Sequence, residues 1–303
     1  MKFELLILGT GSATPILERH PSAQILSVEN EHFLIDCGEA TQYRLLEQKI
    51  KHTRIKHIFI SHLHGDHYLG LVGLLSSLNM NQRTEDMTIY GPAGLDEILT
   101  TQFRYSDTQI RFKLTFIKTD TTKVAVILDH PFVTVETIPL QHRIPCCGFL
   151  FREKQPLRKI LKEKLPEDFP ITFIKMLKNG QDVLDELSQK VYLSADYTTD
   201  SLPARSFAYC SDTAYLESNL PQLQGVDLLY HEATFTKELT KRATETNHST
   251  AEQAAHIAQK SGAKKLVIGH FSSRYKTLEA FESEAKAIFE NTELAKEGIT
   301  YSI

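Results

Sequence analysis

Cysteine is scarce in this sequence. Cys37, Cys146, Cys147 and Cys210 are the only four in 303 residues, and none stand in a C-x-x-C pair. That argues against a disulfide framework and for reduced thiols in a cytoplasmic protein. Long apolar runs are missing too. Residues 3–8 are apolar but stop at Gly9-Thr10-Gly11, too short for a signal peptide, and nothing reaches the length of a membrane span. No tract is of low complexity. Positive charge is not in excess: 34 Lys and Arg face 38 Asp and Glu, a net of −4, so the whole molecule is not a basic nucleic-acid binder. The glycine loop at 9–15 lacks the lysine of a P-loop and completes no G-x-G-x-x-G, so it is read as a loop beside a site, not a phosphate cradle. With 41% hydrophobic residues, the chain can bury a core as one large domain or two small ones.

Histidine is concentrated where the chain is otherwise ordinary. Ser61-His62-Leu63-His64-Gly65-Asp66-His67 follows an apolar run at 55–60 that reads as a buried strand. A helix-compatible pattern at 68–78 comes next. His62 and His64, two apart in extended chain, project to one side. Gly65 is expected to turn the backbone sharply, so that Asp66 and His67 face back toward them. Imidazole with carboxylate suits zinc, and less selectively manganese or iron.

Other apolar runs also end at a potential ligand. Strand-like residues 132–138 lead to His142, 205–210 to Asp212, 227–230 to His231-Glu232, and 265–269 to His270. An α/β fold gathers such strand ends into one site. A hairpin is expected from 23–28 and 32–35, with Asp36 at its end and a helix to about residue 50. Asp36 then either fixes the ring of a ligating histidine or caps that helix. His248 stands before a helix expected from 249 to 261, capped by Ser249 or Thr250.

H-x-H-x-D-H followed by an isolated His, an isolated Asp and a last His resembles the metallo-β-lactamase superfamily. Three further stretches narrow the likeness: residues 36–42 (DCGEATQ), 231–234 (HEAT) and 247–250 (NHST). With them the chain resembles the ribonuclease Z family, endonucleases that trim the 3′ end of precursor tRNA, from Gly9 to about Phe271. The resemblance implies a single α/β domain over 1–303, a four-layer αββα sandwich with a protruding arm inserted at about 152–200. It implies two zinc ions, with manganese as a substitute. His62, His64 and His142 would hold one, Asp66, His67 and His270 the other, and Asp212 would bridge them. Asp66, His248 and Glu232 would be catalytic, His248 as proton donor to the leaving ribose oxygen and Glu232 orienting it. The product would be tRNA with a 3′-hydroxyl. A homodimer with no membrane association is also implied. The alternative is a small-molecule hydrolase of the same superfamily, a phosphodiesterase or arylsulfatase. A third reading, an idle binding module, sits badly with an intact ligand set.

The stretch 152–178 carries eight basic and four acidic side chains, a net of +4 against −8 for the rest of the chain. That pattern suits RNA gripped away from the cut. Arg152, Lys154, Arg158, Lys159, Lys162 and Lys164 are its candidate RNA contacts. The family's arm often holds a Gly-Pro-rich segment. Here Pro156, Pro166 and Pro170 are present, but no glycine comes before Gly180. Some relatives that cut after an encoded CCA carry a Pro- and Lys-containing loop after the motif helix. Residues 79–86 have neither, so cutting just after the discriminator base is expected.

Overall fold

The computed structural model describes residues 2–303. They form two compact units: residues through Arg152 with Arg205–Ile303, and Glu153–Ala204.

The first unit is built on two seven-stranded sheets. One runs, in spatial order, Thr300–Ser302, Phe3–Gly9, Ala23–Val28, Glu31–Cys37, Ile55–Phe59, Met87–Gly91 and Leu114–Lys118. The other runs Thr292–Leu294, Lys265–Gly269, Leu228–Glu232, Ser206–Cys210, Cys146–Glu153, Val133–Leu140 and Val126–Asp129. Alternation along the strands sends side chains to both faces. Phe3, Leu5 and Ile7 point inward and join Phe33, Phe59, Val133, Phe149, Phe207, Tyr230 and Val267 in a core between the sheets. Leu6 and Leu8 point outward and pack with Leu45, Leu71, Leu75 and Leu99 of the covering helices. On the far side, Leu229, Leu266 and Ile268 meet Ala254, Ala255, Ala258 and Phe281 of helices Ala251–Ser261 and Glu279–Lys286. Three cores therefore separate four layers, the αββα order that the resemblance implied. All four cysteines are free and buried. No described helix is long and apolar enough to cross a membrane.

Each sheet is parallel where the site forms. Glu31–Cys37, Ile55–Phe59 and Met87–Gly91 run parallel in one, and Ser206–Cys210, Leu228–Glu232 and Lys265–Gly269 in the other. Parallel strands put their carboxyl ends on one edge, where open α/β sheets bind ligands. Asp36, His62, Asp212, Glu232 and His270 all lie at or just past such ends.

The second unit has a small core of Leu177, Val183 and Tyr192, ringed by Ile160, Phe169, Phe173 and Tyr197. Its helix Ile171–Lys178 and hairpin Val183–Asp185 with Lys190–Tyr192 were not legible as elements in the sequence. Its charge also departs from expectation. Over Glu153–Ala204, eight basic residues face nine acidic ones, a net of −1, so the basic character belongs only to its first half. The charge window of 152–178 covers only the first half of a unit that the fold closes at 204.

Candidate metal centre and catalytic site

Gly65 does not turn the chain through a left-handed conformation; it is absent from the glycines with positive φ. His64 is extended, with φ −74° and ψ 143°, and Gly65 simply opens the short helix Gly65–Tyr68 that carries Asp66 and His67. The turn comes from the start of the helix, and the left-handed residues lie elsewhere. Asp36 has φ 54° and His270 has φ 63°. Neither is glycine, and strained backbone of this kind collects at functional sites.

The seven expected ligands converge. His62, His64, His142 and Asp212 form one group of facing donor atoms, and Asp66, His67 and His270 another. Asp212 reaches both. Its Oδ2 lies 3.6 Å from His62 Nε2 and 3.7 Å from His142 Nε2, while its Oδ1 lies 3.4 Å from His67 Nε2 and 3.2 Å from His270 Nε2. Asp66 Oδ2 is 3.4 Å from the Nε2 atoms of both His67 and His270.

Bonds to the opposite ring nitrogens aim these side chains. His67 Nδ1 lies 2.7 Å from Asp36 Oδ2, so Asp36 is the partner of an expected ligand histidine rather than a helix cap. His142 Nδ1 donates to the Asn247 carbonyl at 2.9 Å, and His270 Nδ1 lies 2.8 Å from Thr234 Oγ1. With protons on Nδ1, both rings present bare Nε2 atoms inward. His64 is reversed: its Nδ1 faces His62 Nε2 and His142 Nε2, each at 3.1 Å.

Lone pairs crowded this closely repel unless a cation lies among them. Asp212 Oδ1 is moreover buried without a hydrogen-bond partner. A fully buried carboxylate oxygen left so is costly, and a metal ion would satisfy it. Burial raises the Asp212 pKa, but His270, His67 and His62 outweigh it and hold the carboxyl well below its usual range. Burial and the neighbouring His67 push His62 well below the usual imidazole value, keeping it neutral as a ligand must be. The donor set thus fits a divalent metal.

Glu232 and His248 form a pair beside this cluster. Glu232, fully buried, accepts from His248 Nδ1 at 2.8 Å, from the Thr213, Thr234 and Ser249 backbone N–H groups, and from the Thr234 hydroxyl. Burial opposes a charge on His248, yet the Glu232 charge and hydrogen bond prevail, with Asp212 adding, and bring its pKa up to about 9. Thr250, not Ser249, caps helix Ala251–Ser261, in a reciprocal box with Gln253. That fixes the chain two residues beyond His248.

The site opens into a cleft of about 350 Å³. Its walls include Thr14 of the first glycine loop, Arg143, Phe235, Arg242 and Arg274, with His248 and His270 at the base. The glycine loop therefore does lie beside the site. Sequence reasoning missed the rim arginines, of which Arg143 and Arg274 stand in loops and Arg242 in the short helix Thr240–Thr246, and gave Thr234 and Asn247 no role although both stand in stretches it singled out.

The expected RNA contacts divide in the structure. Arg158 bonds to Thr198 Oγ1 and Asp200 Oδ1, Lys164 to the Asp196 carbonyl, and Arg152 to the Gln222 carbonyl. Lys159 and Lys162 form no ion pair among the described residues. Lys154 has a partner within the chain.

Comparisons agree with this architecture. A family model for the anti-Pycsar protein Apyc1 matches residues 3–156, and one for a beta-lactamase superfamily domain matches 165–271. The short form of human tRNase Z superposes with a TM-score of 0.71 at 28% identity, covering 99% of both chains. A ribonuclease Z of Cytophaga hutchinsonii is 51% identical over 100% of this chain and 97% of its own length. One from Bacteroides thetaiotaomicron is 44% identical, over 100% and 96%. The ligand-bearing strand ends and the Glu232–His248 pair thus occur in a chain whose whole length is shared with these relatives, and the chain belongs to the ribonuclease Z family.

Proposed function

We propose that this protein is a metal-dependent endoribonuclease that removes the 3′ trailer of precursor tRNA by phosphodiester hydrolysis and leaves a 3′-hydroxyl on the tRNA. The observation that carries this reading is Asp212, whose two oxygens face two histidine clusters while one of them lacks any other partner. We assign His62, His64 and His142 to one zinc ion, Asp66, His67 and His270 to a second, and Asp212 to both, with manganese able to replace zinc. Ions held there supply Lewis acidity toward phosphoryl oxygens and lower the pKa of a water molecule.

The chain's own residues do the rest. Asp66 takes up the proton that the attacking water gives away. His248, protonated at neutral pH, gives a proton to the departing ribose 3′ oxygen. Glu232 holds the ring in place and stabilises its charge. Arg143, Arg242 and Arg274 on the rim suit a phosphate backbone. We assign the unit Glu153–Ala204 to the tRNA-gripping arm, with its basic first half as the contact surface. Exposed Tyr43, Leu46 and Leu69 offer an apolar surface for the expected homodimer, and a cytoplasmic location follows from the substrate.

The test is to incubate the protein with a 3′-extended tRNA transcript and zinc or manganese, then map the product ends. A single cut just after the discriminator base, leaving a 3′-hydroxyl, is expected. An intact transcript alongside rapid hydrolysis of a nitrophenyl phosphodiester would favour a small-molecule hydrolase instead.

A further inference from the structure

Behind the metal-facing atoms lies a buried hydrogen-bonded knot centred on Ser61, the residue before His62. Its hydroxyl is 2.9 Å from Asp36 Oδ2, 3.0 Å from His62 Nδ1 and 3.0 Å from Ser211 Oγ. Its backbone N–H donates to Asp36 Oδ1 at 2.8 Å. The Tyr209 hydroxyl donates to Asp36 Oδ2 at 2.6 Å, beside the bond from His67. Ser61, Asp36, His62, His67, Tyr209 and Ser211 are all buried.

A count of protons fixes the directions. An ionised carboxylate only accepts, and a serine hydroxyl has one proton and two lone pairs. Ser61 therefore donates to Asp36 and accepts from both other neighbours. His62 must then carry its proton on Nδ1, which leaves Nε2 bare on the side of Asp212. Asp36 fixes the His67 ring directly and the His62 ring through one intervening hydroxyl. These two histidines belong to different ligand groups.

We infer that Ser61 is a positioning residue that ties both ligand groups to one carboxylate, locking His62 in the Nδ1-protonated tautomer and, with Tyr209, holding the Asp36 that locks His67. The inference rests on the metal-site reading given above. Partners of this kind behind a ligating histidine are typically worth about 10–100-fold in metal affinity or activity.

The test combines histidine ¹⁵N NMR of full-length zinc-loaded protein with zinc competition against a chromophoric chelator. Wild-type protein should show an exchange-protected Nδ1–H for His62. Ser61→Ala should lose that signal, keep the one from His67, and weaken zinc binding by about 10–100-fold. Ser61→Thr should restore both, and Tyr209→Phe should weaken zinc binding while leaving the His62 signal in place. Should the alanine variant not fold, Ser61→Cys, near in size and a weak acceptor, provides the same contrast. A protected His62 Nδ1–H and wild-type zinc affinity in Ser61→Ala would overturn the inference. So would loss of thermal stability with an unchanged His62 signal and no rescue by threonine. Failure of the metal reading looks different: the wild-type chain would take up no divalent metal. The His62 tautomer, read in the metal-free protein with and without the Ser61 hydroxyl, would then still decide whether Ser61 sets it.

Discussion

The two compact units treat charge in opposite ways. The first hides it: Asp36, Glu232 and Asp212 are almost wholly buried among histidines, hydroxyls and backbone N–H groups. The second keeps it outside, around a core of a few aromatic and aliphatic side chains, with basic residues early and acidic residues late in the segment. Buried carboxylates are tolerable only when many donors surround them. A site made this way is rigid and suited to aiming ligands. Exposed charge is solvated and screened, costs little to rearrange, and suits a mobile polyanion. Chemistry should therefore reside in the first unit, with the second adding RNA affinity to that of the rim arginines.

The largest effect is expected in the first unit. Asp212→Ala removes contacts to both ligand groups and should cut turnover by about 10³-fold or more, since Lewis-acid stabilisation is worth several kcal/mol. Bound metal, read by elemental analysis, should fall with it. Wild-type turnover in this variant would end the bridging assignment. His248→Ala should lower tRNA cleavage by about 10²–10⁴-fold with metal content unchanged. A nitrophenolate leaving group needs little protonation, so bis(nitrophenyl) phosphate should suffer much less. Equal losses on both substrates would give His248 a structural task instead.

Replacing residues 154–203 by a short flexible linker sharpens the comparison further. No proposed ligand is lost, and hydrolysis of a small phosphodiester should persist while KM for tRNA rises. The slope of log affinity against log salt should flatten by roughly 0.7–0.9 for each phosphate contact removed. Residues 154–203 carry eight basic and eight acidic side chains, a net of 0, so a purely global charge effect would leave tRNA binding unchanged on deletion. A weakening shows that the arrangement of charge, not its sum, does the gripping. Within the unit, Lys159→Ala with Lys162→Ala should change salt dependence, whereas Arg158→Ala should mainly loosen the fold around Thr198 and Asp200, read by hydrogen exchange.

The smallest expected effect is a pH response confined to one unit. Burial, with help from Lys2 and Arg54 at His32 and from His130 at His57, holds both rings at pKa values of about 4. A depressed histidine pKa favours the neutral folded form. Its contribution is complete above about 6.5, the ordinary value, and is lost as pH falls toward about 4. Melting of chelator-treated protein should weaken across that window, and His57→Gln should flatten the curve. Residues 153–204 contain no histidine, so their exchange protection should change less there.

Much of the site was legible because metal ligation constrains residue type and spacing together. H-x-H-x-D-H and three later strand ends named the seven candidate donors that the fold brings together. Asp36 stayed ambiguous because a carboxylate after a strand can serve either a helix end or a side chain far away. Gly65 does mark the bend, but the bend is the step from extended His64 into the helix Gly65–Tyr68, with no left-handed glycine. Tyr209 and Ser211 gave no signal, since a phenol or hydroxyl in a buried strand looks like ordinary packing until its partner across the sheets is known. The charge of the arm misled for a related reason: composition can be summed over any window, and only the fold shows where the window ends.

The four buried cysteines have a practical consequence. Burial raises the pKa values of Cys37, Cys147 and Cys210 to about 12, and that of Cys146 well above its usual range. Reactive thiolate is thus almost absent from the native surface. A single cysteine introduced at exposed Leu187, or at exposed Leu17 beside the glycine loop, would be the one readily labelled position. Fluorophores or spin labels could then follow each unit separately during tRNA engagement, with every native thiol left in place.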